Sequence, residues 1–126
     1  MPQFIANPTR IPVQPPGSGK IIDEHVGRVN TGTEAVSVAH MVAPPGWEEP
    51  HQQPRFDEIT LVLKGSVIVE HEGGPTTVSA GQSIITSAGE RIRYRCGEDG
   101  AEYVAVCLPA FSPEAVGREE EVDAGA

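Results

Sequence analysis

From Glu34 onward, apolar and polar residues alternate with a period of two along most of the chain, the signature of half-buried strands. Residues 34–42 (EAVSVAHMV) set Val36, Val38, His40 and Val42 on one face. Ile59, Leu61 and Leu63 share a face opposite Glu58, Thr60 and Val62. Residues 66–72, the Gly73-Gly74-Pro75 turn and residues 76–79 predict a hairpin. Further strands are predicted over 83–86, 91–96 and 102–108, separated by Ala80-Gly81, Ala88-Gly89-Glu90 and Gly97-Glu98-Asp99-Gly100. Some eight short strands with almost no helix signal describe an all-β domain, a small jelly-roll barrel or sandwich.

The two ends differ from this middle. Residues 1–19 carry Pro2, Pro8, Pro12, Pro15, Pro16 and the Gly17-Ser18-Gly19 cluster, which exclude a helix and predict an extended arm along a neighbouring sheet. Residues 113–126 form an acidic tail, predicted to be a mostly solvated turn or disordered. The barrel is assigned to 20–112. Net charge is −9 over 126 residues, which opposes tracking of nucleic-acid phosphates. No apolar run reaches the roughly 18 residues of a membrane span, and Met1-Pro2-Gln3-Phe4-Ile5 lacks the features of a signal peptide. A cytoplasmic protein that binds neither nucleic acid nor membrane is expected. Cys96 and Cys107 lack zinc spacing and are expected as reduced, buried thiols.

The strand at 59–63 turns Glu58, Thr60 and Val62 to one side and a fully apolar face to the other, whereas a small barrel has one interior. Ile59, Leu61 and Leu63 therefore need an external cover, expected from a second copy in a homodimer, the alternative being the N-terminal arm.

The segment 44–65 (PPGWEEPHQQPRFDEITLVLKG) places His51, Gln53 and Glu58 around a turn entering a strand. With Gly46 and Gly65 it resembles the first sequence motif of the cupin superfamily. Residues 81–96 (GQSIITSAGERIRYRC) resemble the second motif through Gly81 and Gly89. The resemblance spans about residues 35–109. It implies a jelly-roll cupin barrel and a three-histidine, one-glutamate cage for iron, manganese, nickel or zinc. At the matching positions stand His51, Gln53, Glu58 and Ile92, so one ligand is missing and one is a neutral amide. FDEITLVLKG, the 80–95 region and EYVAVCLPAF are also similar to the EutQ-like cupins of ethanolamine utilisation, a group that usually lacks the histidine cage. The acetate kinase activity proposed for that group needs a phosphate cradle, which this sequence does not supply.

Alternation turns Ile92, Tyr94 and Cys96 inward and Arg91, Arg93 and Arg95 outward, the arginines pairing with acidic residues across strands or in the tail. Glu58 and Tyr94 thus share one space as candidate catalytic groups, with His51, Gln53, Trp47 and His40 as candidate ligand contacts. A carboxylate in an apolar barrel has its pKa raised, which suits proton transfer. Three functions follow: a small-molecule isomerase, lyase or cyclase with little or no metal, using Glu58 as acid or base; a metal-dependent oxygenase or isomerase using His51, Gln53 and Glu58; or a non-catalytic module for a small metabolite.

Overall fold

A computed structural model of the chain describes residues 1–13 and 16–119. Seven strands follow in order: β1 (Thr9–Ile11), β2 (Ile21–Val26), β3 (Ser37–Ala43), β4 (Asp57–His71), β5 (Gly74–Ser79), β6 (Ser83–Thr86) and β7 (Arg93–Leu108). All ladders are antiparallel, in the order β1-β2-β3-β7-β4-β5, with β6 also on β4. This is the all-β jelly-roll class that the alternation predicts.

The sequence divides 57–71 and 91–108 into two strands each, whereas β4 and β7 are continuous. They pair from Asp57 opposite Leu108 to Glu70 opposite Arg93, with register shifts between Val62 and Val67. Gly65 and Gly100 sit at this bend with φ of 69° and 67°. A Cβ on Gly65 would strike the Gly100 carbonyl oxygen, and one on Gly100 would lie 2.7 Å from that of Ala43. Glycine here bends a strand instead of ending it.

The inward faces of these strands build the core. Thr60, Val62, Val67 and Val69 of β4 meet Tyr94, Cys96, Ala101 and Tyr103 of β7, with Ile92, Trp47 and Val78. Each large apolar side chain contributes roughly 1.5–3 kcal/mol by leaving water. Both cysteines are buried and free.

The outward face carries a row of direct register partners, Val26, Val38, Val106, Ile59 and Ile85, running across five strands. Leu61 lies in the next row opposite Val104. Ile85 is 69% exposed and Leu61 43%. The arm does not supply their cover, which corrects the intramolecular alternative: β1 instead pairs with β2 at the other end of the sheet, where Arg10 ion-pairs with Asp23.

Glu24 of β2 is buried and orders the following loop. Its Oε2 accepts from the backbone amides of Val29 (3.0 Å) and Asn30 (2.8 Å), and Asn30 Nδ2 donates to the His25 carbonyl at 2.7 Å.

Residues 113–119 form a mostly exposed turn that is tied to the barrel at a few points, with only Val116 buried. Ser112 caps a 3-10 turn at Pro113–Ala115, and Val116 is buried with Phe56 and Cys107. The Gln53 amide donates to the Gly117 carbonyl at 2.9 Å, and the Glu119 amide to that of His51 at 2.8 Å. The rest of the acidic tail lies outside the described residues. The arginine stripe pairs as its outward direction predicts: Arg93 and Arg95 with Glu70 across the β4–β7 ladder, Arg91 with Glu119.

Candidate functional site: a carboxylate and lysine pocket inside the barrel

A cavity of about 360 Å³ opens inside the barrel. That is the small end of the ligand-site range of roughly 300–1,000 Å³. Its wall gathers the whole chain: Ile11, Pro12, Lys20 and Ile22 from the arm and β2, Met41 from β3, and Glu49, Gln52 and Phe56 from the loop before β4. Glu58 enters from β4, Tyr94, Tyr103 and Cys107 from β7, and Phe111, Pro113, Val116 and Arg118 from the C-terminal segment. Apolar walls with a few convergent polar groups are the usual composition of a small-molecule site.

Glu58 faces inward because it continues the parity of Thr60 and Val62 on β4, with Thr86 and Cys107 as its register partners. Desolvation raises its pKa to about 7, helped by the charge of Glu49 and opposed by Lys20. The Glu49 carboxyl is likewise pushed up to about 6 by burial, against the pull of Lys20, a backbone hydrogen bond from Tyr94 and Arg118. Two carboxyl groups therefore share one low-dielectric hollow, where the charge of Glu49 disfavours ionisation of Glu58.

Lys20 supplies the opposing charge. Its Nζ donates to the Tyr103 hydroxyl at 2.6 Å and lies 3.8 Å from the centroid of the Trp47 ring. Burial lowers its pKa, while Glu49 and Glu58 resist the fall. The Tyr94 hydroxyl is hydrogen-bonded to Thr60 Oγ1 at 2.9 Å, and the Tyr94 and Tyr103 rings stack at 6.5 Å. Desolvation raises both phenols well above their ordinary value, so they stay neutral donors. The Cys107 thiol is also pushed up by burial and stays protonated.

Of the residues singled out in the sequence, Glu58 and Tyr94 meet in this cavity, and the others do not join them as expected. His51 and Gln53 line a separate outer cleft of about 680 Å³ with Glu70, His71 and Arg91, and Gln53 Nε2 donates to the Gly89 carbonyl at 3.0 Å. The loop's facing is set by Gln52, whose amide and carbonyl pair with those of Ile92, turning Gln52 inward and its two neighbours outward. His40 projects from the outer face of β3, where its Nε2 lies 2.8 Å from Glu102 Oε2. Trp47 packs into the core at 9% exposure and carries Lys20 on its face, so it offers no stacking platform.

Sequence reasoning missed Glu49, Gln52, Lys20 and Tyr103. For Lys20 the signal was available: it shares the period-two face of Ile22 and Glu24, and both of those turn inward.

The metal cage implied by the cupin resemblance does not fit these residues. Gln53 and His51 open to the outer cleft, Ile92 at the fourth position is an aliphatic core residue 1% exposed, and Glu58 shares its cavity with an amine. Among the described residues no group of three or more His, Cys, Asp or Glu side chains could hold a metal ion.

Comparison with known proteins agrees with this architecture. In one curated protein, endoribonuclease YbeY of Myxococcus xanthus, 101 residues match at 46% identity, covering 79% of this chain but only 34% of that protein. The chain thus spans about a third of that relative. Among solved structures, oxalate decarboxylase of Bacillus subtilis superposes with a TM-score of 0.75 at 19% identity over 90% of this chain and 31% of that one. KdgF from a Halomonas species gives 0.66 at 18% identity, over 82% and 89% of the two chains. The ethanolamine-utilisation protein EutQ of Salmonella typhimurium gives 0.63 at 22%, over 75% and 76%. These likenesses are of fold. The cupin-domain family Cupin_2 matches residues 39–108, more than half of the chain, and the chain belongs to that family.

Proposed function

We propose that this cupin is a metal-independent small-molecule enzyme of the isomerase, lyase or cyclase type, in which Glu58 moves a proton on a ligand held in the barrel cavity. The observation that carries this reading is the convergence of Glu58, Glu49, Tyr94 and Lys20 on one small hollow. A carboxyl that titrates near neutrality can both give and take a proton at working pH. Tyr94, a neutral phenol, donates a hydrogen bond to a ligand oxygen, and Gln52 offers an amide to the same space. The apolar walls from Phe56, Phe111 and Val116 lower the local dielectric and strengthen each polar contact.

The endoribonuclease activity named for the Myxococcus protein belongs to a chain more than twice as long, and the net charge of −9 opposes an RNA-tracking surface here. The apolar row of the outer face supports a homodimer that pairs these faces from two copies, and the two free thiols fit a reducing, cytoplasmic setting.

The test follows C–H exchange by NMR in heavy water for a panel of small hydroxy, oxo and amino acids, with wild type and Glu58→Gln. Exchange catalysed by the wild type and lost in the folded variant supports the reading. Saturable binding without exchange overturns it in favour of a non-catalytic metabolite-binding module.

A further inference from the structure

We infer that Lys20 is a nucleophilic amine that captures a small aldehyde or ketone in the barrel cavity as an imine, because its nitrogen is held against a phenol and an indole face in a hollow shared with two carboxyl groups. This rests on the reading of the cavity as a ligand pocket and names its substrate class.

The placement is unusual for the residue type. Lysines are almost never enclosed unless paired. The chain has only two, and Lys64 is exposed on β4 while Lys20 lines the cavity. Its hydrogen bond to Tyr103 and its contact with Trp47 fix the nitrogen beside the ligand space. The titratable groups acting on it are Glu49 from the loop, Glu58 from β4, Cys96 from β7 and Arg118 from the C-terminal segment, with the Tyr103 phenol bound to it directly. The two carboxylates favour the ammonium. Desolvation outweighs them and brings the free amine closer to neutral pH.

The free amine adds to the carbonyl carbon, forming a C–N bond as the C=O π bond breaks and the oxygen takes up a proton. Loss of the C–O bond then gives the C=N bond, and the oxygen leaves as water with the two hydrogens the nitrogen has lost. No oxidant or reductant enters. Glu58 carries these protons between nitrogen and oxygen, which its near-neutral titration allows. A neutral carbonyl compound also adds no charge to a cavity that already holds two carboxyl groups.

The full chain is incubated separately with glycolaldehyde, hydroxyacetone and acetaldehyde in the presence of sodium cyanoborohydride, and the products are read by intact mass and peptide mapping. At least one probe is expected to label Lys20 about tenfold or more in excess of Lys64, which serves as the internal control. Labelling of Lys20 is also expected to begin at lower pH than that of Lys64. Lys20→Met removes the label, and Glu58→Gln slows it on the order of a hundredfold without moving it. If Lys20→Met fails to fold, the ratio of Lys20 to Lys64 in the wild type still decides. Labelling confined to Lys64 and the N-terminal amine, or absent with all three probes, overturns the proposal. If exchange still depends on Glu58 in that case, the proton-transfer reading survives alone. A Lys20 adduct with no Glu58-dependent exchange has the opposite meaning.

Discussion

The backbone amides of Gln52 and Ile92 each donate to the other residue's carbonyl at 2.8 Å, and this reciprocal pair fixes which side of the loop before β4 faces the cavity. Side chains alternate in an extended segment, so anchoring Gln52 inward forces His51 and Gln53 outward. Gln52→Ala is therefore expected to weaken ligand binding by about tenfold, as for one lost hydrogen bond to a ligand. His51→Ala and Gln53→Ala should leave it within about twofold, since exposed contacts matter little. Titration of each variant by calorimetry, using whichever panel compound the wild type binds, checks the contrast.

Glu58 links function to stability through pH. Its carboxyl titrates near 7 in the folded chain and near the ordinary 4.5 when unfolded. Between those values the native state keeps a proton that the unfolded state has lost, so wild-type stability declines as pH rises through this window and levels off above it. Glu58→Gln removes its share of the decline and leaves the smaller share of Glu49, whose carboxyl is pushed up to about 6. The variant should match the wild type at pH 4.5 and exceed it by about 1–2 kcal/mol at pH 8, less than the full shift implies because the cavity admits some water. Urea melts at the two pH values test this, and equal midpoints for both proteins at pH 8 would refute it.

Glu24 takes a structural part. Removing its carboxylate in Glu24→Ala leaves the partly buried amides of Val29 and Asn30 without their acceptor. A loss of about 2–4 kcal/mol is expected, with Glu24→Gln intermediate because its amide oxygen still accepts. Chemical denaturation measures both.

Leu61→Glu places a charge in the exposed apolar face beside Ile85 and Val104. Sedimentation should show a dimeric wild type and a monomeric, folded variant. A monomeric wild type at tens of micromolar, or a variant that stays dimeric, removes the homodimer from the account.

Prolonged chelation should leave the thermal midpoint and any ligand affinity unchanged, since the donors that would hold a metal are split between two clefts. Elemental analysis before and after treatment accompanies the melts.

Much of this was legible because strand parity is a strict code. Glu58, Tyr94, the inward Ile92 and the outward arginines all follow from alternation, and the motifs around Gly46, Gly65, Gly81 and Gly89 carried the family. The loop from Gly46 to Pro54 was not legible in the same way. It has no periodic apolar pattern, and its facing depends on a pairing with Ile92, forty residues later in the chain. A slip of one residue exchanges Gln52 for His51 and Gln53. Lys20 was hidden by its type and by the prolines around it, although the parity of Ile22 and Glu24 reached it. The continuity of β4 and β7 was obscured because glycine serves both bends and ends.

That continuity governs how the chain reaches its native state. Asp57 finds Leu108 across 51 residues, and Glu70 finds Arg93 across 23, so the central ladder forms only after long loops close. Loop closure costs entropy before any contact is gained, which places the domain among slow folders, in the millisecond-to-second range, and not among fast helical ones. Gly65 and Gly100 lie in the middle of this ladder, each without room for a side chain. An alanine at either should obstruct the joining of the two longest strands, and lower the yield of folded protein before it alters any pocket chemistry.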